Sequence, residues 1–233
     1  MLDAHIVKAR RDFTVDVQFK LRGGESLALF GPSGAGKSTV LSCLAGFESP
    51  DRGHILLGNL RLFPPSLALH QRPLGFLSQS DFLFPHLSVA ENICFGLSDY
   101  QRNGSRRWVE ELKRRLRLSA VWNESSRRIS GGQARRVALA RMLARRPPLV
   151  LLDEPFTALD RTTMEDLIEA LLEWRSALNF SLIVVDHRVE ILTRLCSRAV
   201  ILEGGRLVQE DCWGSLRAAP ATPLLARLLG VES

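Results

Sequence analysis

The chain of 233 residues is long enough for one large domain or two modest ones. Hydrophobic residues make up 45% and charged residues 24%, with 17 glycines and 11 prolines, which excludes a disordered, collagen-like or low-complexity chain. Lysine and arginine exceed aspartate and glutamate by 31 to 25, so the net charge of +6 leaves nucleic acid, a membrane surface and a nucleotide open as partners.

Short strands and one helix are predicted at the start of the chain. Residues 13–20 alternate between apolar and polar side chains, the pattern of a strand that is buried on one face. Residues 26–30 have the composition of a fully buried strand. A glycine-rich loop follows, and residues 38–45 then have the pattern of a helix.

The next part changes from strands to helices. Residues 55–57 and 74–77 are predicted as short strands, and the prolines of residues 61–73 indicate a loop between them. From about residue 81 to residue 146 the pattern is helical. Three apolar side chains recur there at helical spacing on one face: Trp108, Leu112 and Leu116.

The last part alternates strands with helices. Residues 149–152 are a buried strand that ends in two acids, and residues 162–178 are an amphipathic helix for which Thr162 and Glu165 form a possible capping box. Two further apolar runs have the length of strands: residues 182–185 and 199–202. This alternation predicts an α/β fold with a mainly parallel sheet and helices on its faces.

Targeting signals and cysteine motifs are not visible in the sequence. The four cysteines, Cys43, Cys94, Cys196 and Cys212, have spacings that match neither a metal site nor a redox pair. No run of about 18 apolar residues occurs, and the first residues lack the pattern of a signal peptide. We therefore expect a cytoplasmic protein with reduced thiols.

A phosphate-binding loop is the strongest motif. Residues 31–38 read GPSGAGKS and fit G-x-x-x-x-G-K-[ST], between a predicted strand and a predicted helix. Backbone amides of such a loop and the helix N-terminus surround phosphate oxygens, while Lys37 reaches the β- and γ-phosphates and Ser38 offers a hydroxyl to Mg²⁺. The structural alternative is a plain glycine-rich turn. The candidate nucleotide-binding residues are Gly31, Pro32, Ser33, Gly34, Ala35, Gly36, Lys37, Ser38 and Thr39.

Two acids at the end of a buried strand complete such a site. Asp153 is placed to hold Mg²⁺, and Glu154 is placed to act as the general base on an attacking water. Two acids that merely end a strand are the competing interpretation, which the phosphate-binding loop makes weak because that loop requires an acidic partner.

A third motif lies between these two. Ser130, Gly131, Gly132 and Gln133 stand at the start of a predicted helix, where exposed amides and the helix dipole favour a phosphate. By itself the tetrapeptide is common, and Ser130 could simply cap the helix. Its position between the loop and the acidic strand end makes it specific.

With these three motifs the sequence resembles the ABC ATPases, the nucleotide-binding subunits of ABC transporters, over about residues 2–215. The signature of that family appears as Ile129 followed by residues 130–133, and its interface loop appears as residues 157–160. The family's glutamine looks like Gln79 and its switch histidine looks like His187.

The resemblance implies a P-loop NTPase (RecA-like) core from residues 1–80 and 147–233, with an N-terminal antiparallel β part and a helical subdomain inserted at about 81–146. It implies one ABC ATPase domain that uses ATP and Mg²⁺, with Ser38, Gln79 and Asp153 at the metal. Two copies would pack head to tail, so that the signature of one meets the ATP of the other and Asp160 crosses the interface. His187 would contact the γ-phosphate, and Gln79 would sense the metal or the water.

The sequence departs from the family at three places. Ile129 replaces leucine, Asp186 and Arg188 flank His187 in place of the usual neighbours, and the aromatic residue that stacks on adenine is replaced by Arg10 and Arg11. An arginine also stacks on a base. Phe13 is the nearest aromatic residue.

A single cassette resembles the separate ATPase subunit of a prokaryotic importer, held on the cytoplasmic side of the inner membrane by permease subunits and working indirectly with a solute-binding protein. Residues 82–97 resemble the corresponding stretch in the ATPases of importers for oxyanions, ferric iron, polyamines and thiamine. We expect Phe82, Leu83 and Phe84 either to contact the permease or to lie in the core. Molybdate or another oxyanion is favoured as solute, and thiamine is the main competing solute.

Two further classes of function stay open from the sequence: an ATP-switched binding module, and an ABC protein that acts on nucleic acid. The local charge argues against nucleic acid as the partner. Residues 101–146 hold 14 basic and three acidic residues, whereas the rest of the chain holds 17 and 22. The hypothesis is that Arg127, Arg128, Arg135 and Arg136, beside the signature, raise the local potential for a triphosphate.

Overall fold

The computed structural model describes residues 1–80, 83–97, 99–157 and 159–231, with the backbone alone over 99–104. The chain forms two compact units. The first contains Met1–Leu74, Pro148–Asp153 and the residues from Asn179 onward, and the second contains Gly75–Pro147 and Glu154–Leu178.

Ten strands occur among the described residues. Their bounds are β1 Leu2–Ala9, β2 Thr14–Leu21, β3 Ser26–Phe30, β4 Arg52–Leu57, β5 Leu60–Phe63, β6 Leu74–Leu77, β7 Leu149–Asp153, β8 Ser181–Val185, β9 Arg198–Glu203 and β10 Arg206–Cys212.

Eight α-helices and two short 3₁₀ turns accompany the strands in the described part of the chain. The helices are α1 Lys37–Ala45, α2 Val89–Cys94, α3 Asp99–Arg115, α4 Gly131–Ala144, α5 Arg161–Leu178, α6 Val189–Leu195, α7 Trp213–Ala218 and α8 Pro223–Leu228; the turns are Leu69–Gln71 and Ser119–Val121. Within these described residues, no helix has both the length and the apolarity to cross a bilayer.

The sheet of the first unit has the order β5-β4-β1-β2-β10-β9-β3-β8-β7. Strand β3 pairs parallel with β9 and β8, β8 pairs parallel with β7, and β1 pairs antiparallel with both β2 and β4. The expected parallel core and antiparallel N-terminal part are therefore confirmed.

The burial of β2 and β3 follows from their position in this sheet. In β2 every second residue is buried, as the alternation in the sequence predicts. All five residues of β3 are buried because β3 lies between two parallel strands that are themselves covered.

The second unit is built mainly from helices. The predicted stripe of Trp108, Leu112 and Leu116 is buried. The Trp108 indole donates a hydrogen bond to the carbonyl of Leu143 at 2.9 Å, and its ring meets Trp174 edge-on at 5.4 Å. These contacts join α3 to α4 and α5, so the stripe is the core of this unit.

Several sequence-based expectations about elements are wrong. Residues 61–73, expected to be a loop, begin with β5, which pairs with β4 across a tight turn at Gly58. The capping box of Thr162 and Glu165 is also wrong, because α5 begins at Arg161 and the carboxylate of Asp160 accepts the amide of Thr163. Four further elements lie outside the sequence-based expectations: β10, α6, α7 and α8.

Candidate functional site

The phosphate-binding loop lies between β3 and α1, as predicted. Gly31, Gly34 and Gly36 all have positive φ, at 146°, 79° and 99°. A Cβ on Gly31 would lie 2.1 Å from the carbonyl oxygen of Leu202, and one on Gly36 would lie 2.8 Å from Cγ2 of Val15. The loop therefore needs glycine both for its backbone conformation and for its packing.

Lys37 closes this loop on itself. The side chain is buried, and its Nζ donates to the carbonyl oxygens of Gly31 and Pro32, each at 2.8 Å. The ammonium group is thus held over the loop whose amides are to face a phosphate. Ser33, Gly34 and Ser38 are exposed, so the outer side of the loop is open to a ligand.

Arg10 is engaged beside the loop. Its guanidinium donates to the Thr39 hydroxyl at 2.8 and 3.1 Å and to Glu48 at 2.7 Å, and the hydrogen bond to Glu48 holds the pKa of Arg10 above its usual value. The ring of Phe13 lies against Gly36, where a Cβ would be 3.6 Å from Cε2 of Phe13. Arg10 and Phe13, two of the residues considered for stacking on the adenine ring, therefore border the loop.

Asp153 and His187 lie at the same edge of the first unit's sheet as the loop. Asp153 ends β7 and pairs in register with Val185 of β8, which in turn pairs with β3, and α1 packs against β7. The loop follows β3, the turn that carries His187 follows β8, and Asp153 ends β7. Because the carboxyl ends of parallel strands meet at one edge of a sheet, all three lie at that edge. Asp153 is buried, at 5% exposure.

The turn that carries His187 is fixed by its two unusual neighbours. Asp186 is 3% exposed and accepts two hydrogen bonds of 3.0 Å from the guanidinium of Arg188, from Nε to Oδ1 and from Nη2 to Oδ2. The amide of Arg188 also donates to Asp186, at 3.0 Å. The departure from the family pattern is therefore an ion pair between the two residues that flank the exposed His187.

Glu154 and Gln79 belong to the second unit. Glu154 has a φ of +50°, in the left-handed region that is uncommon for residues other than glycine. Gln79 is exposed, two residues after the end of β6. Between them in this unit stands Arg135 of α4, whose guanidinium hydrogen-bonds to the carbonyls of Ser78 and Glu154.

Ser130 and Gln133 form a reciprocal capping box at the start of α4. The amide of Ser130 donates to Oε1 of Gln133 at 2.8 Å, and the amide of Gln133 donates to Oγ of Ser130 at 3.3 Å. The capping role is therefore confirmed. Gly131 has open space around it, which leaves the helix N-terminus accessible to a ligand.

Asp160 caps α5. Its carboxylate accepts the Thr163 amide at 2.9 Å and the Thr163 hydroxyl at 2.6 Å, and these hydrogen bonds lower its pKa. In the predicted interface loop 157–160, Ala158 lies outside the described residues.

Sequence reasoning does not distinguish Arg135 and Arg136 from their exposed neighbours. Arg127 and Arg128 are exposed, but Arg135 is buried and Arg136 donates to the carbonyls of Leu116 and Gly132. A signal for this burial is present in the sequence, because residues 135, 138, 139 and 142 have helical spacing and form one buried face of α4.

The residues at the edge of the sheet fit a magnesium ion carried by a triphosphate. Mg²⁺ is usually held by one or two protein oxygens together with phosphates and waters. Ser38 and the buried Asp153 supply such oxygens in the first unit. Among the described residues no group of three or more histidine, cysteine and acidic side chains is placed to hold a metal ion.

The chain is similar to known ATP-binding proteins of import systems. The ABC transporter family model matches residues 14–157. The sulfate/thiosulfate import ATP-binding protein of Xanthomonas campestris is 38% identical, over 97% of this chain and 68% of its own length. The molybdate/tungstate import ATP-binding protein of Pyrococcus horikoshii is 37% identical, over 98% and 66%. The Fe(3+) ions import ATP-binding protein of Pectobacterium atrosepticum is 38% identical, over 99% and 68%.

Solved structures give the same result. A structure described as the ATP-binding subunit of an ABC transporter superposes with a TM-score of 0.84 at 26% identity, over 98% of this chain and 99% of that one. The dimeric ABC transporter cassette MJ0796 gives 0.78 at 26% identity, over 91% and 98%. The chain spans about two thirds of the length of the curated relatives. It belongs to the ABC transporter family and is an ATP-binding ATPase of that family.

Proposed function

We propose that this ATPase is the energy-supplying subunit of a prokaryotic importer. The main support is the edge of the first unit's sheet, where the Lys37 loop, Asp153 and the turn with His187 follow neighbouring strands. The relatives from Xanthomonas, Pyrococcus and Pectobacterium are all import ATP-binding proteins by name.

The residues divide the chemistry of ATP hydrolysis among themselves. The backbone N–H groups of the loop 31–39 and the Lys37 ammonium bind and orient the phosphates, which places positive charge beside the oxygens on which negative charge develops in the transition state. Glu154 accepts the proton of the attacking water, and His187 hydrogen-bonds to the γ-phosphate. Ser38, Asp153 and Gln79 would hold a Mg²⁺ ion bound with the nucleotide, which would neutralise negative charge on the phosphates.

A second copy of the chain completes each site. In this arrangement the helix start at Ser130–Gln133 of one copy faces the ATP bound to the other, and Asp160 lies at the interface. The open N-terminus of α4 supports this role, because backbone amides at a helix start bind anions well. The cassette MJ0796, to which the chain is similar, is dimeric in its structure.

The partner on the membrane side is a pair of permease subunits, so the protein is peripheral on the cytoplasmic face. Phe84 is half-buried with its ring 4.2 Å from that of the exposed Phe95, and Leu83 is half-buried, while Phe82 lies outside the described residues. A groove of about 340 Å³ in the same unit is lined by Leu97, Val109 and Trp122 among others. We assign this surface to the permease.

The solute is proposed to be an oxyanion, with molybdate favoured. The Xanthomonas and Pyrococcus relatives are named for sulfate and molybdate import, and the Pectobacterium relative is named for ferric iron. Thiamine and polyamines are the remaining candidate solutes. The solute reaches the permease through a solute-binding protein, so the ATPase itself does not contact it.

Glu154→Gln tests the proposed function. The variant keeps the size and shape of the side chain but has no base for the water, so we expect it to bind ATP normally and to lose nearly all turnover. Phosphate release and nucleotide binding are measured in parallel. Glu169→Gln, at an exposed position of α5, is the matched control and should hydrolyse ATP like the wild type. Full turnover by Glu154→Gln would show that another group is the base.

A further inference from the structure

Arg135 has an unusual environment for a charged residue. It stands in the first half of α4 and is only 3% exposed. Its guanidinium donates from Nε to the carbonyl of Pro155 at 3.2 Å, from Nη2 to the carbonyl of Glu154 at 2.7 Å, and from Nη1 to the carbonyl of Ser78. One side chain thus joins three segments of the second unit: α4, the residues after β6, and residues 154–155.

These acceptors make the position specific for arginine. The planar guanidinium carries five donors in a fixed geometry, so it can hold carbonyls that come from different directions. A lysine ammonium keeps the charge but concentrates its donors at one point. A buried carbonyl that loses its hydrogen-bond donor destabilises the fold. Loss of the guanidinium should therefore loosen the contacts among the three segments.

The carbonyls that Arg135 holds are next to the proposed catalytic groups. One belongs to Glu154 itself, whose φ of +50° is a conformation that persists only when its surroundings enforce it. Another belongs to Ser78, directly before Gln79. The arginine is two residues after Gln133, on the helix that starts with the signature.

We propose that Arg135 is a positioning residue for ATP hydrolysis, which holds the main chain at Glu154 and before Gln79 and ties both to the signature helix. This inference rests on the proposed function of Glu154. A shift of the signature helix would move the guanidinium, and the carbonyls of Glu154 and Ser78 would move with it.

The test compares Arg135→Gln and Arg135→Lys with the wild type and with Glu154→Gln. We expect Arg135→Gln to lower kcat for ATP hydrolysis by about tenfold or more while KM and the Kd for ATP stay within about twofold, since the phosphate-binding loop is not changed. The kcat of Arg135→Lys should lie between that of Arg135→Gln and that of the wild type. In the double variant Arg135→Gln/Glu154→Gln, turnover should not fall further than in Glu154→Gln, because both changes act on the same step.

Arg72→Gln is the matched control for the loss of a buried guanidinium. Arg72 is 2% exposed in the first unit and donates to the carbonyls of Cys43, Leu44, Leu62 and Leu67. We expect a comparable loss of thermal stability but an unchanged kcat below the melting temperature. A kcat for Arg135→Gln equal to that of the wild type would overturn the proposal.

The outcomes separate this inference from the proposed function. If Glu154→Gln is inactive and Arg135→Gln is fully active, the function stands and the positioning role fails. If Glu154→Gln is fully active, another group is the base, and the inference loses its premise whatever Arg135→Gln does. If Arg135→Gln does not fold, Arg135→Lys decides, and wild-type kcat in that variant overturns the role. A parallel rise in KM and fall in kcat would indicate general loosening and would also overturn it.

Discussion

At the scale of single residues, the ion pair around His187 shows how a departure from a family pattern can be compensated locally. A buried carboxylate is costly without a partner, and Asp186 has one in Arg188, two residues away. The bidentate geometry fixes both side chains, and the histidine between them is held by a short, closed stretch of chain.

Removing one partner of this pair should be more harmful than removing both. We expect Arg188→Met to lower the free energy of unfolding by about 2 kcal/mol, less than for a fully buried pair because Arg188 is 42% exposed. Asp186→Asn/Arg188→Met should recover part of that loss. Urea unfolding of the two single variants and the double variant measures the coupling. Independent, additive effects would show that the pair does not stabilise the turn.

At the scale of elements, α5 depends on the residue before it. The carboxylate of Asp160 accepts hydrogen bonds from both the amide and the hydroxyl of Thr163, and its negative charge lies at the positive end of the helix dipole. Both effects favour the ionised form and hold the pKa of Asp160 below its ordinary value of 3.8. The same aspartate therefore has a structural role in one chain and a proposed role at the dimer interface.

The structural role gives a defined pH dependence. A depressed pKa in the folded state stabilises the fold above the pKa of the unfolded state, and this contribution is lost as pH falls through the lowered value. Asp160→Ala should therefore be less stable than the wild type at about pH 6, with the difference shrinking towards about pH 3. Asp160→Asn keeps a cap without titrating there, so it serves as control in the same urea series. A difference that does not depend on pH would contradict this account.

The fold and the site are predictable from sequence to different degrees. The phosphate-binding loop and the strand before Asp153 follow from local patterns, because their residue types are required at fixed spacing. Strand β5 escapes prediction because the prolines around it suggest a loop, whereas its pairing with β4 depends on a neighbour in space. Thr162 rather than Asp160 is predicted as the cap because sequence patterns place helix ends only approximately.

At the scale of the whole molecule, the surplus of basic residues lies in one segment, residues 101–146. Some of its arginines are exposed to solvent, and others are engaged with the main chain. Of the four arginines beside the signature, Arg135 and Arg136 hold main-chain carbonyls. Arg127 and Arg128 are exposed. Arg127 and Arg128 are therefore the two residues that we still expect to attract a triphosphate through their charge.

Arg127→Gln/Arg128→Gln tests this potential. Because exposed charges act through a field that salt screens, we expect ATP-driven dimerisation of the double variant to depend less steeply on salt concentration than that of the wild type. Arg106→Gln/Arg107→Gln removes the same charge from exposed positions on α3 and is the control. Dimerisation is followed by analytical ultracentrifugation at several salt concentrations. An equal slope in both double variants would mean that only net charge matters.

The packing of Trp108 against Trp174 also has a spectroscopic consequence. With Trp122 they place three of the four indoles in the second unit, and Trp213, which meets Phe30 edge-on and donates to the carbonyl of Cys196, is alone in the first. Intrinsic fluorescence is therefore an unequal reporter of the two units. Replacing Trp213 by phenylalanine leaves emission from the second unit alone, so that unfolding of the helical part can be followed without an attached dye.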